Sequence, residues 1–282
     1  MKKILSIILV IILALGVLTA CGKSTSGNGM TIGIPNDPTN EARALELLQT
    51  QGLITLKDTG DVEATVRDIV DNPYNISFKE IEAAQLPMQL ESLDYAIINS
   101  NYAIDAGLTP FLTEGTDVAY PNIIAVKEGN ENTDKIKALV AAVNSASVAD
   151  FIKSEYIGAV VCDLNSPIAD GLDAKLDYAK LKGETIKIAA SPAPHADILK
   201  QAAKVLEGKG IKLDIVEFTD YIQPNMVVES GEVDANYFQH IPYLNDFNAE
   251  NGTHIVSVLE VHHEPMGIYS NKYDSLDNIK TK

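Results

Sequence analysis

The sequence predicts an α/β protein of two similar lobes, and three observations carry that prediction. An alternating strand, a proline-containing loop and an amphipathic helix occur twice: TIGIPNDPTNEARALELLQTQGLITL from Thr31, and TIKIAASPAPHADILKQAAKVLEGKGIKL from Thr185. Short runs such as Tyr95–Ile98 are apolar enough to be buried on both faces of a sheet. With 282 residues, 46% of them apolar, the chain can build one large or two modest cores.

The first residues read as an address. Lys2 and Lys3 form a basic start, Ile4–Val17 an apolar stretch short for a membrane span, and Leu18-Thr19-Ala20-Cys21 has the form of a bacterial lipoprotein cleavage site. Residues 1–20 are therefore expected to be a signal peptide and Cys21 the lipidated residue. Cleavage removes two lysines from a formal charge of −17, leaving about −19. Several acyl chains on one cysteine anchor far better than one. Residues 21–29 are rich in Gly and Ser, and eight such residues reach about 15 Å as a coil. Once Cys21 is acylated, Cys162 has no cysteine to pair with, and it reads as a small, partly buried residue.

In the first unit, Thr31–Ile34 is a strand, Asp37 is an N-cap followed by Pro38, Leu45 and Leu48 share a helix face, and Gly52 ends the helix. A helix start behind a polar loop suits an anionic group such as a carboxylate, and Arg43 can add a bidentate fork. On residue type alone Arg43 reads more readily as a solvated or surface-paired residue. Further strands are expected at Leu53–Leu56 and Ile76–Phe78, with a turn or short helix at Val66–Val70. Tyr95–Ile98 ends at Asn99-Ser100-Asn101-Tyr102, the kind of sheet edge where ligands bind. Asn99 offers a donor and an acceptor there, or simply forms a turn. Asn122 opens the strand Ile123–Val126, and Thr133 caps a helix carrying Ile136, Leu139, Val140 and Val143 on one face; another covers Ser147–Tyr156. Asp163–Gly171 has loop composition, and Leu172–Leu181 reads as a short helix.

In the second half, Leu213–Phe218 ends near Tyr221, and Val233–Asn236 ends at Tyr237-Phe238-Gln239-His240. Tyr221, Phe238 and His240 then make an aromatic slot that suits a polarisable thioether, though Phe238 reads equally as core. His195, at a helix start, caps the helix or lines a cleft. Residues 255–269 read as strands, so His262 and His263 point to opposite faces, and no metal site is expected. With no G-x-S-x-G elbow and no activated nucleophile, no catalytic residue and no cofactor is expected. The acidity argues against nucleic acid as a partner.

The runs PNDPTNEARALELLQTQGLITLKD, DIVDNPYNISFKEIEAAQLP, AIINSNYAIDAGLTP, PHADIL, FTDYIQPN, DANYFQHIPYL and EPMGIYS together resemble the NlpA family of methionine-binding lipoproteins. The resemblance covers nearly all of residues 30–161 and 184–282. In the family the blocks from PHADIL to GIYS come first, so this chain resembles a circular permutation of it, with 163–183 as the new linker. The family often has Arg where Met88 stands. The resemblance implies a type II periplasmic-binding-protein fold, two α/β lobes with a ligand cleft at the hinge. One lobe would be residues 30–118 with 271–282 packed on it, the other 119–270. It implies methionine as ligand, with Arg43 taking its carboxylate, Asn99 and Asn122 the amino-acid head group, and Tyr221, Phe238 and His240 the side chain. It further implies delivery to an ABC permease and ATPase from a lipid anchor on the extracytoplasmic face of the cell membrane; the alternative is a surface adhesin or amino-acid sensor that keeps the fold. If the permutation is real, Lys282 should lie within about 10 Å of Met30, with Ser275–Ile279 a short helix beside the first strand.

Overall fold

The computed structural model describes residues 29–59, 63–115 and 120–281. The expected signal peptide, Cys21 and the Lys282–Met30 proximity lie outside them. Two main sheets form.

The first lobe, lobe B, holds β1 (Thr31–Pro35), β4 (Ser77–Ile81), β5 (Tyr95–Ile98), β6 (Leu112–Thr113) and β13 (Gly267–Tyr269), after a small ribbon of β2 (Thr55–Leu56) and β3 (Ile69–Asp71). The order is β4-β1-β5-β13-β6; β1 runs parallel to β4 and β5, and β13 antiparallel to β5 and β6. The helix Pro38–Thr50 follows β1 as expected: the Asp37 side chain accepts from Asn40 N–H, Pro38 sits in the first turn, and Leu45 and Leu48 are fully buried. Alternation divides β5 between two cores. Tyr95 and Ile97 join Ile32, Leu45 and Ile268 on one face, while Ala96 and Ile98 join Leu86, Leu93 and Tyr269 on the other.

The second lobe, lobe A, holds β7 (Pro121–Lys127), β8 (Val161–Cys162), β9 (Thr185–Ala190), β10 (Lys212–Glu217), β11 (Ala235–His240) and β12 (Ile255–His263) in the order β10-β9-β11-β7-β12-β8. Strands β9, β10 and β11 are parallel, and β7 is antiparallel to both β11 and β12. Ile124 and Val126 of β7 face the core under the helices Asp134–Val143, Ala146–Glu155 and Asp197–Glu207; Ile123 and Ala125 face Val228 and Leu244 on the opposite side.

Several expectations need correction. β11 does not end at Asn236 but runs through the aromatics to His240, because β7 keeps pairing with it as far as His240, while β9 on the other side pairs as far as Tyr237. The second crossing between lobes falls at residues 264–266, not at 270, since β13 pairs with β5 and β6 of lobe B. Within 163–183 only Tyr178–Leu181 is helical: the Asp173 side chain takes the Lys175 N–H at 2.9 Å in a turn before it, and Asp177 starts the short helix by capping it, accepting from Ala179 N–H at 3.2 Å. This segment packs along lobe A: Ile168 donates to Asn144 O at 2.7 Å and accepts from Ala146 N at 2.9 Å. Gly171 (φ +70) lies so close that a Cβ there would meet Ser145 and Val205 within 3 Å. At the other end, the helix Asp277–Lys280 places Leu276 and Ile279 in one core with Met30 and Ile32, and Tyr95 donates to Ser275 O at 2.8 Å. Cys162 is free and half-buried.

Candidate ligand-binding cleft

Strand ends from both lobes converge on the gap between them. Asn99 follows β5, Asn40 and Arg43 lie in the first two turns of the helix after β1, Phe238 and His240 close β11, Asn122 opens β7, and Glu264 follows β12. Pairing sets Asn122 between His240 and His262 across neighbouring strands. The resulting cavity is small. All six residues expected to hold ligand, Arg43, Asn99, Asn122, Tyr221, Phe238 and His240, line this one cavity. So do Asn40, Gln239, Tyr243 and Glu264, to which the sequence reading gave no role.

The cavity has a polar end and an aromatic end. At the aromatic end, the Tyr221 ring centroid lies 5.8 Å from Phe238 and 5.7 Å from Tyr243. At the polar end Arg43 is buried rather than solvated. Its Nε donates to Glu114 Oε1 and Oε2 at 2.5 and 2.9 Å, its Nη2 donates to the Glu264 carbonyl at 2.6 Å, and its Cζ sits 4.5 Å from the Tyr120 ring centroid. The guanidinium thus offers a ligand only the N–H groups these contacts leave over. Burial pushes the Glu114 carboxyl up, and attraction to Arg43 offsets only part of that. Asn99 Nδ2 donates to Asn40 Oδ1 at 2.8 Å, while Asn99 Oδ1 is buried with no partner. His240 Nδ1 accepts from Tyr243 N–H at 3.2 Å, capping the helix Ile241–Asn251; the proton is then on Nε2, which faces Asn40 Oδ1 at 3.5 Å. Burial, with Arg43 adding to it, holds the His240 pKa down at about 3, so the ring is neutral.

Behind the cavity, His195, His262 and Glu264 bring one possible metal-ligand atom each within 4.8 Å. Hydrogen bonding accounts for these atoms. Tyr237 hydroxyl bonds His262 Nδ1, and His262 Nε2 donates to Glu264 Oε1 at 2.8 Å. His195 Nε2 donates to Asn122 Oδ1 at 2.9 Å, with Glu264 Oε1 at 3.5 Å. A metal on His195 Nε2 would drive the proton to Nδ1, which is buried and has no partner. His263 points away from this group to Asp163, at 2.9 Å, as strand alternation requires.

Hydrogen bonds clasp the lobes together over the cavity. Thr39 Oγ1 donates to Asp246 Oδ2 at 2.7 Å, Tyr221 hydroxyl to Asn101 Oδ1 at 2.7 Å, and Tyr102 hydroxyl to Thr219 O at 3.1 Å.

Two α/β lobes joined by two crossings, with a cavity walled from both, make this a type II periplasmic-binding-protein fold. The sequence profile of the NlpA lipoprotein family matches residues 2–163 and 186–282, and the chain belongs to that family. It is 39% identical over 138 residues to the probable D-methionine-binding lipoprotein MetQ of Pasteurella multocida (strain Pm70), covering 48% of this chain and 50% of that protein. It is also 39% identical over 137 residues to membrane lipoprotein TpN32 of Treponema pallidum (strain Nichols), covering 47% and 51%. Among solved structures, a nutrient binding protein from Burkholderia cenocepacia bound to methionine matches with 44% identity and a TM-score of 0.44, over 46% of this chain and 57% of that one. The chain spans about half the length of the curated relatives it matches.

Proposed function

We propose that this chain encloses methionine, or a close analogue, between its lobes and delivers it to the permease and ATPase of an ABC importer. It would do so from a lipid anchor at Cys21 on the extracytoplasmic face of the membrane, as a binding protein without catalysis. The observation that carries the reading is the convergence of Arg43, Asn99, Asn122, Tyr221, Phe238 and His240 on one cavity with a charged end and an aromatic end. A thioether at the aromatic end gains sulfur–aromatic contacts worth about 0.3–1.5 kcal/mol each. A carboxylate at the other end meets the remaining Arg43 N–H groups in a site shut off from water, where such bonds discriminate strongly. Names of the relatives, D-methionine-binding lipoprotein among them, support the same ligand class.

The family profile covers both halves of the chain, yet a single alignment to a relative takes in only about half of each protein, which supports reading the chain as a circular permutation with 163–183 as the linker.

Calorimetric titration of protein lacking Cys21 and the signal peptide against an amino-acid panel tests the ligand. Methionine at a hundredfold over its dissociation constant should stabilise the fold by about 2.7 kcal/mol. No heat and an unchanged melting temperature at millimolar methionine would refute the reading. Fractionation of cells carrying Cys21→Ser tests the anchor: a correctly cleaved, membrane-bound variant would exclude it.

A further inference from the structure

Behind the aromatic end of the cavity lie three side-chain amides that the binding reading does not use. Asn225, Asn236 and Gln239 are 0%, 0% and 3% exposed. Asn225, in the helix Gln223–Glu229, donates from Nδ2 to Gln239 Oε1 at 2.9 Å; its Oδ1 accepts from Asn236 Nδ2 at 2.8 Å and from Gln239 Nε2 at 2.7 Å. Asn236 Nδ2 also donates to Pro224 O at 3.1 Å, and Gln239 Nε2 to Asn236 Oδ1 at 3.2 Å. All the polar side-chain atoms of the three are therefore satisfied by one another and by Pro224. Apolar side chains would fill the same space while tolerating small shifts, whereas a closed set of buried hydrogen bonds does not.

The triad joins the two halves of the aromatic slot. Pairing of β11 with β7 slips by one residue between Tyr237 and Gln239, which leaves Phe238 without an opposite residue. Asn236 and Gln239 are three positions apart, and in a regular strand they would point to opposite faces. The slip turns both toward the helix Gln223–Glu229, where Asn225 takes hold of them. A bulge re-aims a side chain, and here that side chain is Phe238. On the other side of the slot, Asp220 Oδ1 accepts from the N–H groups of Ile222 and Gln223, both at 2.8 Å, and ties the turn carrying Tyr221 to the start of the same helix. Asn225 and Asn236 stand behind the cavity wall rather than in it.

We propose that Asn225 and Asn236, acting through Gln239, are positioning residues for side-chain selectivity: the amide triad locks the β11 bulge against the helix Gln223–Glu229, so that Phe238 and Tyr221 keep the spacing at which a thioether touches both rings. The slot is then built before ligand arrives, and its discrimination depends on hydrogen bonds that never meet the ligand. This inference rests on the methionine reading above.

The test titrates full-length lipoprotein in detergent with methionine and with norleucine, in which a methylene replaces the sulfur. The wild type should prefer methionine by about tenfold through sulfur–aromatic contacts. Asn225→Leu fills the space without hydrogen bonds and should bring that preference within about twofold, in protein whose circular dichroism shows it folded. Asn225→Asp at pH 5.5, where burial keeps the carboxyl protonated with one acceptor and one donor as in the amide, should restore the preference. A merely structural role would lower the melting temperature and leave the ratio alone. Preference retained in Asn225→Leu, preference lost equally in Asn225→Asp, or no preference in a wild type that binds both ligands overturns the proposal and leaves the binding reading standing; heat from neither ligand in the wild type overturns the binding reading itself. If Asn225→Leu fails to fold, side-chain amide exchange by NMR in the unliganded wild type decides: the three NH2 groups should exchange at least about 100-fold more slowly than in an unfolded chain, and unprotected exchange overturns the proposal.

Discussion

Arg43 and Glu114 form an ion pair with side chains 6% and 7% exposed. Truncating Arg43 to Met removes the guanidinium, keeps most of the apolar stem, and strands a buried carboxylate. Breaking one side of such a pair costs about 3–5 kcal/mol, a large part of a typical stability of about 5–15 kcal/mol. Replacing both partners, Arg43→Met with Glu114→Gln, leaves no uncompensated charge, and the loss should shrink to about 1–2 kcal/mol. Urea unfolding at pH 7, with a shared slope across the four proteins, reads the difference as a coupling of about 2 kcal/mol or more. Ligand titration of the same proteins separates the roles of the arginine. Glu114→Gln frees the guanidinium for a ligand carboxylate, so affinity should hold or rise as stability falls; both proteins lacking Arg43 should lose binding. A double variant no more stable than Arg43→Met would refute the stranded-charge argument, and Arg43→Met binding like wild type would refute the carboxylate role.

Tyr221→Phe removes one clasp hydrogen bond to Asn101 and keeps the ring in the aromatic wall. It should weaken ligand by about three- to tenfold, and titration showing no change would mean that the clasp is absent from the liganded state. Burial holds His195, His240 and His262 at pKa values of about 3, below the unfolded value of about 6.5. The stability they contribute is therefore fully present above pH 6.5 and is lost as pH falls toward 3, at up to about 1.4 kcal/mol per pH unit for each ring. Glu63, pushed up to about 7 by burial and by Asp246, acts oppositely: its contribution is present at low pH and lost as pH rises through 7. His240→Gln should flatten the slope of urea stability between pH 6 and 4 by about one histidine's share, and an unaltered slope would contradict its buried neutral state. A re-ordered gene that joins Lys282 to Met30 and opens the chain within 164–185 should give a protein with the same melting temperature and ligand affinity; an unfolded product would count against the permutation.

Both strand-loop-helix units were legible because their signals are local: Asp37 before Pro38, alternation in TIKIAA, glycine after the helix. The six cavity residues came from motif resemblance more than from residue physics, since Asn at a strand end and Phe before His have ordinary structural uses. What stayed hidden is long-range. Glu114 stands 71 residues from Arg43, and nothing near either one announces the pair. Glu264 sits in the irregular step between β12 and β13, where neither the strand nor the helix period applies. Glu264 itself opens the quoted motif EPMGIYS, and a charged residue at the head of an otherwise apolar run was the one available clue. Tyr243 was invisible for another reason: on a helix, only the partner element reveals that it faces a cavity.

The two sheets differ in how much of the chain must exist before they can close. All six strands of lobe A come from residues 121–263, an uninterrupted length. Lobe B joins strands from residues 31–113 to β13 at 267–269, and the helix Asp277–Lys280 completes its core around Met30. A chain emerging from a ribosome or a translocon therefore presents most of lobe B first and must hold it unfinished while lobe A is made. Closing that gap brings together residues more than two hundred positions apart, which is slow relative to local pairing. During that interval the open edge of β5, whose neighbour β13 is made only after all of lobe A, is the surface most exposed to wrong pairing with another chain.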